Sequence, residues 1–467
     1  MVKKMNEDFN VIQMILEQII KESIHFFEGL ESRAAAFQPP TLQRDKLPVE
    51  GIGAMNALEN FKEKYAAFLS GSAGSRYLGF VTGGATPAAI AGDWLVSVYD
   101  QNVASTDDSV AGKVELETID MLKELFQLPK NYSGSFVSGA TMANFVGLAI
   151  ARQWFGHQHG INVSQQGLFL LPKMKVVSGC AHSSIYKALS MLGMGRESVQ
   201  SIPCLPDREA IDISRLREFL RELKGEPCIV VANAGTVNTV DFDNLREIVK
   251  LKDEYTFWLH VDAAFGGFAA CSPKYHELVD GLDQADSITI DAHKWLNVPY
   301  DSAMQFTRHK DIQVEVFQNN AAYLGNSIDN PEFVHLTPEN SRRFRALPAW
   351  FTLNAYGKVG YREIVERNVE MAQLLTKRVA ESTFFRLAAP TRLNVVCFTL
   401  ATEGITMDVI HKYLDLLKQD GRVFMTPTLY KGTPAIRAAF SNWRTDEDDV
   451  EIIWDALSEA IKDMDRK

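Results

Sequence analysis

Short apolar runs that alternate with helical patterns constrain the fold of this 467-residue chain. Five such runs lie between residues 76 and 345, at 134–137, 175–178, 228–232, 257–261 and 287–290. Segments with helical spacing separate some of them, at 142–153 and 214–223. Parallel strands need a long crossover between them, usually a helix, so this alternation predicts an α/β fold with a mostly parallel central sheet.

Composition places the chain among soluble globular proteins. Hydrophobic residues make up 46% and charged residues 23% of the sequence, a balance unlike that of disordered or membrane proteins. The net charge of −11 argues against a nucleic-acid surface and gives no reason to expect anionic membranes as partners. The five cysteines include no C-x-x-C pair, which predicts a reduced, cytoplasmic chain.

Three parts of the chain are predicted to differ in structure. Residues 1–75 form an N-terminal helical segment, residues 76–345 a large domain, and residues 346–467 a small C-terminal α+β domain. Charged residues interrupt the first helix, so we expect it to pack on another lobe or on a partner subunit in a dimer and not to span a membrane. Its apolar face carries Ile12, Ile15, Ile19, Ile20 and Ile24.

A lysine and an aspartate follow neighbouring apolar runs. Asp262 ends the run at 257–261, and Lys294 comes just after the run at 287–290. A lysine amine can form a Schiff base with the aldehyde of pyridoxal 5′-phosphate (PLP), and a carboxylate can hold the pyridine nitrogen protonated so that the ring accepts electrons. The pair therefore predicts a PLP site, although Asp262 could instead cap the next helix.

Further residues near predicted strand ends suit the same cofactor. Residues 138–141 open a helix whose N–H groups can hold a phosphate, and an ordinary helix N-cap explains them equally. The flat ring of His182 can stack on a flat cofactor or serve as a hydrogen-bonded core histidine. Thr236 brings a hydroxyl near the cofactor or belongs to a turn. His293 can help to hold the phosphate.

Other classes of site lack their motifs. His157 and His159 are the closest histidine pair, but no carboxylate cluster accompanies them, so we predict no metal site. The sequence contains neither a Walker loop nor G-x-G-x-x-G, and it lacks the G-x-S-x-G elbow of serine hydrolases.

Five groups of residues occur in an order that resembles one enzyme family. They are Ala181-His182-Ser183-Ser184, Gly235-Thr236 with Phe242-Asp243-Asn244-Leu245, His260-Val261-Asp262-Ala263-Ala264, His293-Lys294-Trp295-Leu296 and Arg342-Arg343-Phe344-Arg345. The family is that of the group II PLP-dependent decarboxylases, which act on aromatic L-amino acids, histidine or glutamate. The resemblance implies the PLP-dependent transferase fold of type I, as in aspartate aminotransferase, and a homodimer with shared active sites.

The resemblance also implies a role for each matching residue. Lys294 forms the Schiff base, Asp262 pairs with the pyridine nitrogen, His182 stacks on the ring, and Thr236 lies close to it. Asp291 stands where many members have asparagine, and we retain it as a cofactor residue. The residues expected around the phosphate are Gly139, Ala140, Thr141 and His293.

Residues of the expected substrate pocket resemble two different branches of the family. Thr82 falls where members place a residue near the substrate carboxylate. The polar stretch at 100–107, with Asn102, resembles the glutamate or cysteine-sulfinate branch, whereas the run at 341–347, with Arg345, resembles the aromatic branch. We expect decarboxylation of an aromatic L-amino acid to the amine and CO2, with an acidic amino acid as the alternative substrate.

One position departs from the family pattern. In the family, a loop equivalent to 318–336 enters the partner's active site and carries a tyrosine that acts as a proton donor. Phe333 occupies that position here, and His335 lies two residues on. Loss of the hydroxyl implies an alternative reaction, decarboxylation-coupled oxidative deamination to an aldehyde. Tyr323 in another register, His335 or a water could instead supply the proton.

Two other possibilities remain at this stage: another reaction class, such as an aminotransferase or a PLP-dependent C–C lyase, and a structural or binding relative without cofactor. An aminotransferase would need an arginine for the substrate carboxylate, and Arg437 is the candidate. A relative that binds without catalysing would not need both Lys294 and Asp262.

Overall fold

The computed structural model describes residues 3–38, 40–106, 108–319 and 332–466. Its strands are β1 (Ser133–Val137), β2 (Val176–Ser178), β3 (Val199–Ser201), β4 (Cys228–Asn233), β5 (Phe257–Asp262), β6 (Ser287–Asp291), β7 (Ala303–Thr307), β8 (Phe385–Leu387), β9 (Val395–Leu400), β10 (Thr426–Tyr430) and β11 (Thr433–Ala439). Its helices are α1 (Lys3–Asn10), α2 (Ile12–Glu28), α3 (Ala54–Lys64), α4 (Pro87–Tyr99), α5 (Ala111–Leu125), α6 (Ala140–Gln158), α7 (Val163–Gln166), α8 (Ser183–Met191), α9 (Ile213–Glu222), α10 (Leu245–Lys250), α11 (Lys310–Phe317), α12 (Ala346–Glu381), α13 (Met407–Asp420) and α14 (Glu447–Arg466).

Seven of the described strands form a central sheet in the order β1-β7-β6-β5-β4-β2-β3. Strand β7 runs antiparallel to both of its neighbours, and the other pairings are parallel. The predicted mostly parallel sheet is therefore confirmed. Strand β7 was not predicted, because its alternation of apolar and polar residues is short and Gln305 is fully buried against Ser135, on the neighbouring strand β1.

Alternate residues of the central strands pack on opposite faces of the sheet. Ile229 and Val231 of β4 join a core cluster with helices α6 and α8. Val230 and Ala232 join the cluster that includes residues of α5, α9 and α12. Because successive side chains of a strand point to opposite faces, a strand covered on both sides is apolar throughout. This explains the continuous apolar run from which β4 was predicted.

The C-terminal part forms a second, antiparallel sheet in the order β10-β11-β9-β8, which packs against helices α12, α13 and α14. Leu78, from the beginning of the predicted large domain, is buried in this second core, and its N–H donates to the carbonyl of Phe424. The exact division of the chain at residues 75 and 345 stays a prediction.

Helix α2 exposes much of its apolar surface. No residue of the helix is fully buried by the described remainder of the chain, although some side chains, such as Ile15 and Phe26, are half-buried. Exposed large apolar residues of the helix include Ile12, Leu16, Ile19, Ile20 and Ile24. Among the described helices, none combines the length and apolar character that a membrane crossing requires.

Candidate active site

The carboxyl ends of five strands bring the predicted cofactor residues to one edge of the central sheet. Strand β6 runs in the same direction as β1, β2, β4 and β5, because β7 is antiparallel to both β1 and β6. Such an edge is where open α/β sheets bind ligands. The predicted residues that follow these strands are Gly139, Ala140 and Thr141 after β1, His182 after β2, Thr236 after β4, Asp262 at the end of β5, and Asp291, His293 and Lys294 at the end of β6.

Lys294 lies on a single π-helical turn, Ala292–Leu296, directly after β6. Turns of this kind are rare and are frequent at functional sites. The Lys294 Nζ atom lies 2.8 Å from Asp291 Oδ2 and 5.6 Å from the centre of the Phe265 ring. The amine is half-buried, with 17% of its side chain exposed, so a small ligand can reach it.

The loop before helix α4 packs tightly against the lysine. A Cβ atom at Gly83 would lie 1.8 Å from the Lys294 carbonyl oxygen, so only glycine fits there. Two residues upstream, Val81 has a φ of 58°, a conformation that costs a β-branched residue conformational energy. This strained loop places Gly83 against the lysine backbone and the neighbouring Thr82 beside Tyr300.

Asp262 is buried at the end of β5, where its two carboxylate oxygens have separate donors. Oδ1 accepts from the Ala264 N–H at 3.2 Å, and Oδ2 accepts from Asn144 Nδ2 at 3.0 Å. Asn144 belongs to helix α6 and is fully buried. A carboxylate held by neutral donors keeps its negative charge available for a positively charged ligand group.

His182 is the N-cap residue of helix α8. Its Nδ1 atom lies 2.7 Å from Ser184 Oγ and accepts from the Ser184 N–H at 3.3 Å. The neighbouring protein removes water from the imidazole and thereby lowers the pKa of His182, while the charges of Asp262 and Lys294 act on it in opposite directions. The ring therefore remains neutral near pH 7, and because Nδ1 is an acceptor, Nε2 carries the proton.

The start of helix α6 attracts an acceptor oxygen. The Ala140 N–H donates to Asp291 Oδ1 at 2.6 Å, as the positive end of a helix dipole favours. Gly139 leaves open space there, because an added Cβ would meet only the His293 ring, at 3.6 Å. Burial lowers the pKa of His293, whose ring packs on Tyr300 with 4.4 Å between centroids.

Thr236 is at the same edge, but its hydroxyl has protein partners. It donates to Glu209 Oε2 at 2.6 Å and accepts from the Asp241 N–H at 2.9 Å. Glu209 also accepts from Thr239 and Asn238. In the described chain, Thr236 therefore organises the loop after β4, and its predicted place next to the cofactor ring stays a prediction.

The three predicted substrate residues fall into two places. Thr82 Oγ1 lies 2.9 Å from the Tyr300 hydroxyl, and Arg345 Nε lies 2.9 Å from Asp301 Oδ1, so both contact the segment that follows Lys294. Asn102 instead accepts from the backbone N–H of Arg342 at 2.8 Å. Its side chain supports another loop, and its role in substrate binding stays a prediction.

Phe333 and His335 are both buried, on a short helical turn, Phe333–His335. The Arg342 guanidinium lies over the Phe333 ring at 4.7 Å, and His335 Nδ1 accepts from the Asn319 N–H at 3.0 Å. Neither contact joins them to the Lys294 group, and their catalytic role stays a prediction. Tyr323 lies outside the described residues.

Sequence reasoning missed several residues that support the site. Asn144 interrupts the apolar face of a helix. A buried polar residue needs a hydrogen-bond partner, so its position in the sequence could have indicated a role at the site. Tyr300 and Glu209 gave no comparable signal, because their partners are distant in the chain. Arg437, proposed above only for an aminotransferase, is buried on β11 and donates to the Val237 carbonyl at 2.7 Å.

The residues present fit PLP. The cofactor has an aldehyde, a pyridine nitrogen, a phosphate and a flat ring, and the edge offers an amine at Lys294, a carboxylate at Asp262, a helix start at Ala140 and an imidazole at His182. The Ser302 hydroxyl is buried next to His293 without a hydrogen-bond partner among the described residues, as expected of a group reserved for a ligand. Within the described ranges, no three His, Cys, Asp or Glu side chains are grouped to hold a metal ion.

Comparisons with known proteins agree with this arrangement. The model of the pyridoxal-dependent decarboxylase conserved domain matches residues 42–401. An aromatic-L-amino-acid decarboxylase of Bacillus atrophaeus is 29% identical over 384 residues, which are 79% of this chain and 77% of that protein. A phenylacetaldehyde synthase of Petunia hybrida is 27% identical over 376 residues, 73% of this chain and 72% of that protein. The structure of Oryza sativa TDC with PLP and tryptamine superimposes with a TM-score of 0.89 at 22% identity, and the match covers 97% of this chain and 98% of that one.

Proposed function

Because the chain belongs to the pyridoxal-dependent decarboxylase family, we propose that it removes the α-carboxylate of an aromatic L-amino acid and releases the amine and CO2. The protein is thus a PLP-dependent amino-acid decarboxylase, as predicted, and the aromatic substrate is the specific part of the proposal. The observation that carries the proposed decarboxylation is that Lys294, Asp262 and His182 meet at one sheet edge.

Each of these residues has a separate task. Lys294 would hold the cofactor through its amine, which lies 2.8 Å from Asp291 Oδ2. Asp262 would provide a fixed negative charge for the pyridine nitrogen of the cofactor, and His182 would offer a neutral ring whose Nε2 proton faces the substrate side. Bound PLP supplies an electron sink for the electrons left when CO2 departs. The protein contributes orientation and electrostatics.

The substrate side of the site is lined by Thr82 and Tyr300. Their hydroxyls are 2.9 Å apart, and the Tyr300 ring is largely exposed beside His293. An aromatic ring can stack on Tyr300, and the Thr82 hydroxyl can bind a carboxylate. The curated relative from Bacillus atrophaeus is named for aromatic substrates, which supports the same preference.

A second candidate product is an aldehyde. Phe333 has no hydroxyl and is buried under Arg342, so it cannot donate a proton. One relative, from Petunia hybrida, is named phenylacetaldehyde synthase. In that case the enzyme would consume O2 and water and would release the aldehyde, CO2, ammonia and hydrogen peroxide.

We further propose that the protein is a cytoplasmic homodimer with shared active sites. The exposed apolar face of α2, including Ile12 and Ile20, supports burial against a second copy. All five cysteines are free, which supports a reducing compartment.

The test is product analysis of the PLP-loaded protein with each common amino acid in air. We expect an amine from an aromatic L-amino acid, without hydrogen peroxide. Stoichiometric aldehyde, ammonia and peroxide would establish the second candidate. Amine from glutamate or cysteine sulfinate alone would overturn the aromatic preference.

A further inference from the structure

A continuous set of hydrogen bonds runs beneath the site from the sheet towards Asp262. Trp258 Nε1 donates to Ser287 Oγ at 2.9 Å, and Ser287 Oγ lies 2.8 Å from His260 Nδ1. On its other side, His260 Nε2 lies 2.9 Å from Asn144 Oδ1. These groups are all buried and come from β5, β6 and α6.

Asn144 divides this set into two arms. One hydrogen of its amide nitrogen goes to Asp262 Oδ2, at 3.0 Å, and the other goes to Ser184 Oγ, at 3.1 Å. Ser184 Oγ in turn lies 2.7 Å from His182 Nδ1. One side chain, 118 residues away from Asp262 in sequence, is therefore bonded to Asp262 directly and to His182 through one hydroxyl.

The direction of every bond follows from the charge on Asp262. An ionised carboxylate only accepts hydrogen bonds, so Asn144 must turn its NH2 group towards it and its oxygen towards His260. His260 then donates from Nε2 and accepts at Nδ1 from the Ser287 hydroxyl. On the other arm, Ser184 accepts from Asn144 and so donates its own proton to His182 Nδ1.

Burial keeps this arrangement in one state. Desolvation lowers the pKa of His260 to about 4, so the ring is neutral near pH 7 and can donate from only one nitrogen. Gly147, one helical turn after Asn144, makes room for that ring, because an added Cβ would lie 2.7 Å from His260 Cε1. The same face of α6 thus accommodates the histidine and presents the amide.

We propose that Asn144, oriented by His260, is the positioning residue that jointly sets the rotamer of the Asp262 carboxylate and the Nε2-protonated form of His182. The inference rests on the proposed PLP site and deepens it. Without the Asn144 amide, the Asp262 carboxylate loses one of its donors and can rotate, and the Ser184 hydroxyl becomes able to accept a hydrogen bond from His182 Nδ1. His182 then takes up a second proton more easily. The charged side chains that act on His182 are Asp262, Lys294, Arg437 and Asp291.

The test compares Asn144→Ala with a matched buried amide outside the site. Asn394 is also fully buried, and its Nδ2 donates to the Phe440 carbonyl at 2.7 Å in the second core. Three properties are measured: the melting temperature of the apoenzyme, its PLP affinity by titration, and the pH dependence of the visible absorption of the bound cofactor. We expect both Asn144→Ala and Asn394→Ala to have lower melting temperatures, but only Asn144→Ala to bind PLP at least about tenfold more weakly.

A second variant separates the arms and guards against misfolding of Asn144→Ala. Ser184→Ala removes only the hydroxyl that donates to His182 and keeps the helix. We expect this variant to bind PLP with near wild-type affinity. The change in visible absorption on the acidic side of the pH profile, called the acid limb, should move to higher pH, because protonation of His182 becomes easier. PLP binding by Asn144→Ala equal to that of Asn394→Ala, or an unmoved acid limb in Ser184→Ala, would overturn the inference. Wild-type protein that binds PLP but yields no CO2 would refute the proposed reaction alone.

Discussion

Lys294 Nζ lies 2.8 Å from Asp291 Oδ2, while Asp291 Oδ1 accepts from the first N–H of helix α6 at 2.6 Å. One carboxylate thus links the lysine to the helix start where a phosphate is expected. This relationship makes Asp291 both a support for the amine and a negative charge near an anion site.

We predict that Asp291→Asn binds PLP more tightly. The amide oxygen can still accept from the Ala140 N–H, and the substitution removes a negative charge that repels the phosphate. The expected gain is about threefold to tenfold, the scale of one partly screened charge interaction. Titration of the apoenzyme at two salt concentrations measures it. Weaker binding would show that Asp291 serves the cofactor mainly through Lys294.

Gly83→Ala is predicted to impair PLP loading and therefore enzyme activity. Its Cβ would meet the Lys294 carbonyl at 1.8 Å, so the π-helical turn must move. Gly139→Ala is the matched control, because its Cβ meets only the His293 ring at 3.6 Å. We expect a loss of at least about a hundredfold in activity for Gly83→Ala and less than about tenfold for Gly139→Ala. Similar losses in both would refute the steric argument.

The fold itself should lose stability in acid through His260. Its pKa in the folded protein is about 4, below the ordinary 6.5, so between these pH values the unfolded chain binds more protons. Stability is fully present above about pH 6.5 and falls as the pH drops towards 4. His260→Gln keeps a donor for Asn144 but does not titrate. From pH 7 to 4, wild-type apoenzyme should lose about 3 kcal/mol more unfolding free energy than this variant, by urea denaturation. Parallel losses in the two proteins would exclude His260 as the cause.

The sequence allowed prediction of those site residues that follow strand ends. Asp262 and Lys294 each come directly after an apolar run, so the local pattern and the parallel sheet together place them at one edge. Fold type and cofactor followed from the same motifs and are confirmed by the family match.

Contacts between distant parts of the chain could not be predicted from the local sequence pattern. Thr82 and Tyr300 are separated by 218 residues, and Arg345 and Asp301 by 44, so their pairing depends on how the loops pack. Strand β7 was also missed, since two of its five residues, Gln305 and Thr307, are polar and yet buried by pairing within the sheet. Polar groups that bond only in the folded state leave little trace in hydrophobic periodicity.

The central claim is that the chain removes an α-carboxylate by means of Lys294. The most direct measurement follows an aromatic L-amino acid labelled with ¹³C at its carboxylate, with wild-type protein and Lys294→Ala, both loaded with PLP. We predict that the wild-type enzyme releases labelled CO2 in an amount equal to that of its other product. In the variant, the rate of CO2 release should fall by roughly a thousandfold or more. Label retained in the product, or equal CO2 release by Lys294→Ala, would contradict the claim.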